Sequence, residues 1–557
     1  MVTRNTGGSN EVCVRSPAFR RRIADRLKAG LRTSAALLTV FTLLLSGAGN
    51  EAEAQKQKKP ASSGSEDEYY RMVTIPLPAD VVLEVGGMDW LDKGKDRLLI
   101  CTRRGEVWIL DNPYADPPML APGELPTPPK KGKASQPTTA PDPAKVVRFK
   151  RFLFGLHEPL GLLTQPDGIY IAQRAELTRI KDTKGDDRAD VVETICNEWE
   201  LSGAYHEYAF GPKLDRDGNF WVTLNVPFGS SPEGKAHWRG WAIKIDRKGK
   251  MYPMCSGIRS PAGLGANADG ELFYTDNQGE WVAACKLSHL KPGSFHGHAV
   301  GMYSTSHPLS PIKNLGKLPN GATLADAIKQ MPALMLPAVW FPYPRMGRSS
   351  SDVLLDDTGG KSGPFTGQVF VGDQANSIVS RVFLEKVEGE YQGACFPFRQ
   401  GFQCGVLRMC WGKDGSMFAG QTNRGWGSAG GKPYGLQRLV WSGKVPFEIH
   451  EMRARPDGFE LTFTEPVDPA TAGDVKSYAM KCWTYYHHST YGCKDVDPHA
   501  LTIKSATVGE GGKSVRLVVD GLRATYVQEL RLPGMRSRDG RPLLHPEAYY
   551  TLNRIPR

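Results

Sequence analysis

Hydrophobic and polar positions along this chain alternate in short runs that stop at turn residues. In LSGAYHEYAFGPKLDRDGNFWVTLN (201–225), an apolar strand, Tyr208 to Phe210, precedes a turn of Asp215, Asp217, Gly218 and Asn219, and a second strand follows, Phe220 to Leu224. Asp, Asn and Gly tolerate tight backbone geometry, and aromatic and β-branched residues suit a pleated surface, so this stretch predicts a hairpin. The phrase recurs. It appears in RLLICTRRGEVWIL (97–110), in GLHEPLGLLTQPDGIYIAQRAELTRIKD (155–182) and in GIRSPAGLGANADGELFYTDNQGEWVAACKLSHL (257–290). It returns from PAVWFPY (337–343) through GQVFVGDQANSIVSRVFL (367–384), and again in GVLRMCWGKDGSMFAGQTNRGW (405–426), closing with YGLQRLVW (434–441). One short helix, Leu324 to Gln330, is expected between the fourth and fifth copies. Six units of about 40–50 residues with four short strands each are the signature of propeller blades. A large β-sandwich array is the other architecture this pattern allows.

From about Val445 the pattern changes. Phe459, Leu461 and Phe463 alternate with polar positions, as do Val515, Leu517 and Val519, which is a half-buried antiparallel pattern. The predicted fold class is therefore all-β. A six-bladed β-propeller over 71–444 carries a Pro-rich insertion at 113–147, and an immunoglobulin-like β-sandwich follows over 445–557.

Composition narrows the setting. The 557 residues are too many for one ordinary core, and Gly (61) and Pro (41) are abundant while long helical patterns are scarce. Arg20, Arg21, Arg22, Arg26, Lys28 and Arg32 precede an apolar run, Ala35 to Leu45, and Ala52-Glu53-Ala54 follows. That order predicts an export signal over 1–54, a linker over 55–70, and a periplasmic or secreted mature chain with no membrane span. Part of the formal +11 charge lies in that leader. No basic run is interleaved with aromatics and no nucleic-acid motif occurs, so the basic excess points to a solvated surface or to an anionic ligand in a cleft. Of ten cysteines, Cys482 and Cys493 are close enough for a disulfide-closed hairpin. No C-x-x-C-H is present, so no c-type haem is expected on this chain.

The blade phrases carry the chemistry. LLTQPDGIYIAQRAELTRI, YHEYAFGPKLDRDGNFWVTLN and GIRSPAGLGANADGELFYTDNQG resemble, in order and spacing, the motifs of soluble quinoprotein glucose/sorbosone dehydrogenase-like propellers. Closer still is the resemblance to exported proteins described as membrane-bound dehydrogenase-like propellers. The resemblance implies pyrroloquinoline quinone with calcium as cofactors, a sugar or alcohol substrate and a separate electron acceptor. It implies His206 as general base, and an imidazole near its ordinary pKa suits that task. Because the quinone is a tricarboxylate, Arg259 and Arg408 are implied as cofactor contacts, with Asn277 and Gln278 in the blade-four loop. Tyr205 stands where the family has an acidic residue and Ser260 where it has asparagine. His157, in LHEPLGL, would enter the same mouth without an assigned role.

Two further clusters are candidates. Asp182, Asp186, Asp190 and Glu193 have the 1-5-9-12 spacing of a calcium loop, although Lys184 and Asp187 occupy two of its other positions. CWTYYHHSTYGC (482–493) places two cysteines around His487 and His488, with aromatics suited to stacking on a sugar. A non-catalytic propeller binding glycans or cell-surface partners is the competing function. A calcium-dependent lactone hydrolase would need Asp276 and Asp373 as metal ligands.

Overall fold

The structure, a computed structural model, describes residues 65–121, 142–228 and 236–557. The expected export signal and most of the Pro-rich insertion lie outside the described residues. Strand makes up 44% of the chain and helix 7%, in a β-propeller arrangement. All described residues fall within one unit, Ser62–Arg557.

The turn chemistry read from the sequence builds the hairpins. Asp215 Oδ1 accepts the amides of Asp217 and Asn219, and Gly218 takes φ +78°, a conformation that disfavours a Cβ. Each repeat then folds as four antiparallel strands. The first sheet is Val85–Trp90, Arg97–Thr102, Val107–Asp111 and Arg148–Leu153. The second is Leu162–Gln165, Gly168–Ala172, Leu177–Lys181 and Val191–Cys196. The third is Ala209–Leu214, Phe220–Leu224, Trp241–Ile245 and Met251–Ser256. The fourth, from Leu264–Ala266 to Val339–Phe341, also contains Leu272–Asp276 and Cys285–His289, and the expected helix Leu324–Gln330 precedes its last strand. The last sheet is Val406–Trp411, Met417–Thr422 and Tyr434–Trp441, completed by Tyr70–Thr74 from the start of the described chain. This N-terminal strand closes the ring.

Between these sheets lie Ser350–Leu355, Val369–Asp373, Ile378–Val387 and Glu390–Gln400, and they are not a free-standing sheet. Gly393 to Cys395 pair with Tyr549 to Thr551, so these four strands open an 11-stranded sheet that runs on through the C-terminal region. The cores merge as well. Phe459, Leu461, Phe463, Val515 and Leu517 are buried with Phe383 and Phe396. Burying that much aromatic and aliphatic surface, at roughly 25 cal/mol per Å², ties the C-terminal strands to the propeller.

At the centre the inner strands approach backbone to backbone. A Cβ on Gly161 would lie 1.6 Å from the Gly211 carbonyl oxygen, so no larger residue fits. Arg408, on the inner strand Val406–Trp411, lies beside a cavity of about 20 Å³ that remains here. Its guanidinium donates to the carbonyls of Gly86, Leu160, Ala262 and Leu407 at 2.8–2.9 Å.

A charged clamp fastens the N-terminal segment. The buried His545 ring lies 2.6 Å from Glu448 and 3.1 Å from Glu66, and Arg399 also reaches Glu66 at 2.7 Å. Burial opposes charge on His545, but Glu448 and Glu66 outweigh it and raise its pKa to about 10. Burial likewise opposes charge on Glu66, yet His545, the Gln400 amide and Arg399 lower it to about 2. The histidine's stabilisation is complete below its ordinary 6.5 and is lost as pH rises through about 10. The carboxylate's is complete above 4.5 and is lost as pH falls toward 2. Stability is therefore expected to peak between these limbs. Urea unfolding at pH 9.5 should fall roughly 2 kcal/mol below that at pH 5.5, and His545→Gln should flatten the alkaline limb.

Candidate functional site

The loops that enter and leave the inner strands meet at one end of the propeller. They enclose a pocket of about 80 Å³. A repeated register supplies much of its polar lining. One or two residues beyond the second strand of each repeat stand Arg103, Arg174, Asn225, Asn277 with Gln278, Gln374 and Arg424. All of these except Arg174 line the pocket.

Glu158 is the keystone of one wall. It is buried at φ +47°, and its carboxylate accepts from Arg103 at 2.7 Å and from Arg174 at 3.1 Å, with Arg424 at 3.8 Å. The guanidinium carbons of Arg103 and Arg174 lie 5.0 and 5.4 Å from the centre of the Tyr208 ring. Arg424 also pairs with Glu84 at 3.1 Å. These carboxylates sit behind the arginines. Among the described residues the lining itself contains Arg103, Arg259, Arg348 and Arg424 and no carboxylate. Arg348 is exposed and has no carboxylate partner among the described residues.

His206 lines this pocket half-buried, its backbone carbonyl held by Asn225 Nδ2 at 2.6 Å. Its ring packs edge-on against Phe228, with centroids 3.9 Å apart, and makes no hydrogen bond to a described residue. Burial first, then the Arg259, Arg174 and Arg103 charges, hold its pKa below the ordinary value. At neutral pH the imidazole is uncharged and its lone pair is available.

The opposite wall differs. Arg259 is 1% exposed and binds Glu280 through Nε and Nη2, at 3.1 and 2.9 Å. Phe228 and Tyr491 cover its guanidinium, at 4.5 and 5.2 Å, and Gly279 lies so close that a Cβ there would be 1.9 Å from Cζ. Gln278 donates to the Ala283 carbonyl at 3.0 Å, and Asn277 reaches Ser349 Oγ at 3.4 Å.

Four buried polar atoms of lining residues have no hydrogen-bond partner among the described residues: Arg103 Nε, Tyr208 Oη, Asn225 Oδ1 and Arg424 Nε. Buried polar groups are rarely left unpaired, so this convergence of donors and an acceptor marks a place for a polar ligand.

Several expected residues lie elsewhere. Arg408 is sealed among carbonyls at the propeller centre and does not line this pocket, because its inner-strand position turns it toward the axis. Asp276 is fully buried and accepts the Arg259 and Ser260 amides, while Asp373 accepts those of Arg348, Ser349 and Asn376, so both carboxylates cap loops. The 182–193 carboxylates do not converge. Asp182 collects the amides of residues 184 to 187, Asp190 holds Thr183, and Glu193 pairs with Arg179 at 2.6 Å. Among the described residues no three His, Cys, Asp or Glu side chains form a metal-binding group. His157 is exposed. The nine described cysteines are free thiols. Cys482 faces the C-terminal core, whereas Cys493 packs with the cluster around Trp483 and Tyr485, on the other side of the strand.

A family described as "Domain of unknown function (DUF7133)" matches residues 142–394. No curated protein matches the sequence. Among solved structures, a putative oxidoreductase (glucose dehydrogenase) from Thermus thermophilus is similar at 15% identity and a TM-score of 0.44, over 67% of this chain and 100% of that one. The PQQ-bound aldose sugar dehydrogenase of Streptomyces coelicolor is similar at 13% identity and 0.41, over 67% and 98%. The PQQ domain of pyranose dehydrogenase from Coprinopsis cinerea, in its holo form, is similar at 10% and 0.41, over 67% and 95%.

Proposed function

We propose that this is a dehydrogenase-like propeller that oxidises a sugar or related alcohol in the mouth pocket, with His206 as general base. In this reading residues 350–400 form the fifth of six blades, and 445–557 form an immunoglobulin-like sandwich. The export signal at 1–54 would deliver the chain to the periplasm or the exterior, where a separate acceptor takes the electrons. No described helix is long and apolar enough to cross a membrane.

The observation that carries the proposal is the lining itself: among the described residues it has four arginines, no carboxylate, and polar atoms without hydrogen-bond partners beside an uncharged imidazole. That donor set fits the carboxylates of pyrroloquinoline quinone. Arg103 Nε and Arg424 Nε make no hydrogen bond to a described residue, although Arg424 Nε lies 3.8 Å from Glu158, and Arg348 has no carboxylate partner among the described residues. These three would hold the quinone, with Asn277 and Gln278 along its edge, in place of the committed Arg259 and Arg408. The quinone would supply the hydride acceptor. His206 would take the proton from the substrate hydroxyl, and Asn225 Oδ1 and Tyr208 Oη are placed to orient hydroxyl groups. Calcium finds no matching carboxylate set among the described residues, and no role is drawn for it.

The test is dye-coupled oxidation of a sugar panel by protein reconstituted with the quinone. His206→Ala should lower kcat by about 100-fold or more while quinone affinity holds. Unchanged turnover in that variant would remove His206 as base. A quinone-loaded protein that oxidises no sugar would favour the second reading, a non-catalytic glycan-binding propeller, which the exposed rim aromatics Phe228, Trp426 and Tyr491 also suit.

A further inference from the structure

The C-terminal region does not stand apart from the mouth. Its segment 486–493 lies across the loop 278–283 and is fixed there by backbone bonds. Trp281 donates to the His488 carbonyl, Gly492 to that of Gly279 and Cys493 to that of Ala283, at 2.9–3.0 Å. Tyr486 and His487 pair with Thr323 and Ala322, and both His487 ring nitrogens face carbonyls, Pro319 at 2.8 Å and Gly297 at 3.1 Å. Gly492, at φ +61°, leaves room for the Gln278 carboxamide, since a Cβ there would lie 2.6 Å from its Cδ.

This strap presents Tyr491 to the pocket. None of the backbone bonds requires the tyrosine ring, which lines the mouth pocket and remains 54% exposed. Behind it, Glu280 pairs with Arg259, and the Tyr491 ring lies over that guanidinium, so the face offered here is aromatic. A flat aromatic face with a hydroxyl at its tip suits the apolar face of a sugar ring and one of its hydroxyl groups.

We infer that the strap is part of the substrate site and that Tyr491 is a specificity-determining residue that stacks on the sugar ring. The inference rests on the reading that the mouth takes a sugar. The full chain is assayed in two ways: intrinsic-fluorescence titration with neutral mono- and disaccharides without cofactor, and dye-coupled turnover with the quinone loaded. Tyr491→Ala is expected to weaken sugar binding and raise KM about tenfold, with the ranking of sugars altered and the quinone titration unmoved. Tyr491→Phe is expected to retain most of the affinity. If the wild type binds sugars and Tyr491→Ala binds them equally well in the same order, the inference fails and the function reading stands. If the wild type binds no sugar in either assay, both fall.

Discussion

Replacing Arg408 with methionine lowers the unfolding free energy by about 3–5 kcal/mol. The guanidinium joins carbonyls from four different parts of the ring, at Gly86, Leu160, Ala262 and Leu407. Methionine fills much of the same volume but offers no donor, so four buried acceptors lose their partner together. Burial pulls the arginine's pKa down, yet Asp352 nearby opposes that shift and the group stays charged. Lysine keeps the charge but has three donors without the planar fork, so Arg408→Lys should fall between wild type and methionine. Chemical denaturation measures the loss. A methionine variant as stable as the wild type but unable to bind quinone would restore Arg408 to the cofactor site.

Glu158→Gln is expected to cost about 3 kcal/mol and to disorganise the cationic wall. Its carboxylate holds Arg103 and Arg174 in place, with Arg424 close by. The amide has the same shape and no charge, so Arg103 and Arg174 lose their carboxylate partner while Arg424 keeps Glu84. An anionic ligand between them should then restore part of the stability, by mass action on the folded form. Thermal unfolding of the variant with and without the quinone reads both effects. A variant with wild-type stability would mean that solvent already screens these arginines.

The hairpins were legible because their signals are local. Asp215 and Gly218 specify their turn within a few residues, and the alternation at Phe459, Leu461 and Phe463 states which face is buried. Ring closure by Tyr70–Thr74 and the pairing of Gly393–Cys395 with Tyr549–Thr551 join residues far apart along the chain, and strand composition does not name its partner. Of the proposed site, His206, Asn277, Gln278 and Arg259 line one pocket. Motif position could not show that Glu280 already neutralises Arg259, or that Arg408 turns inward. Glu158 sits beside His157 in LHEPLGL, yet only the fold distinguishes the buried acid from the exposed imidazole. One readable signal was missed. The polar residue just past the second strand of each repeat, from Arg103 to Arg424, marks the mouth once the repeats are aligned.

Calorimetric titration of the chain from Gln55 onward with pyrroloquinoline quinone, beside Arg348→Ala, tests most directly whether the mouth is an anionic-cofactor site. One-to-one binding, weakened about tenfold or more in Arg348→Ala and falling with added salt, is the expected result. No heat from a folded wild type, or equal binding by the variant, would contradict the account.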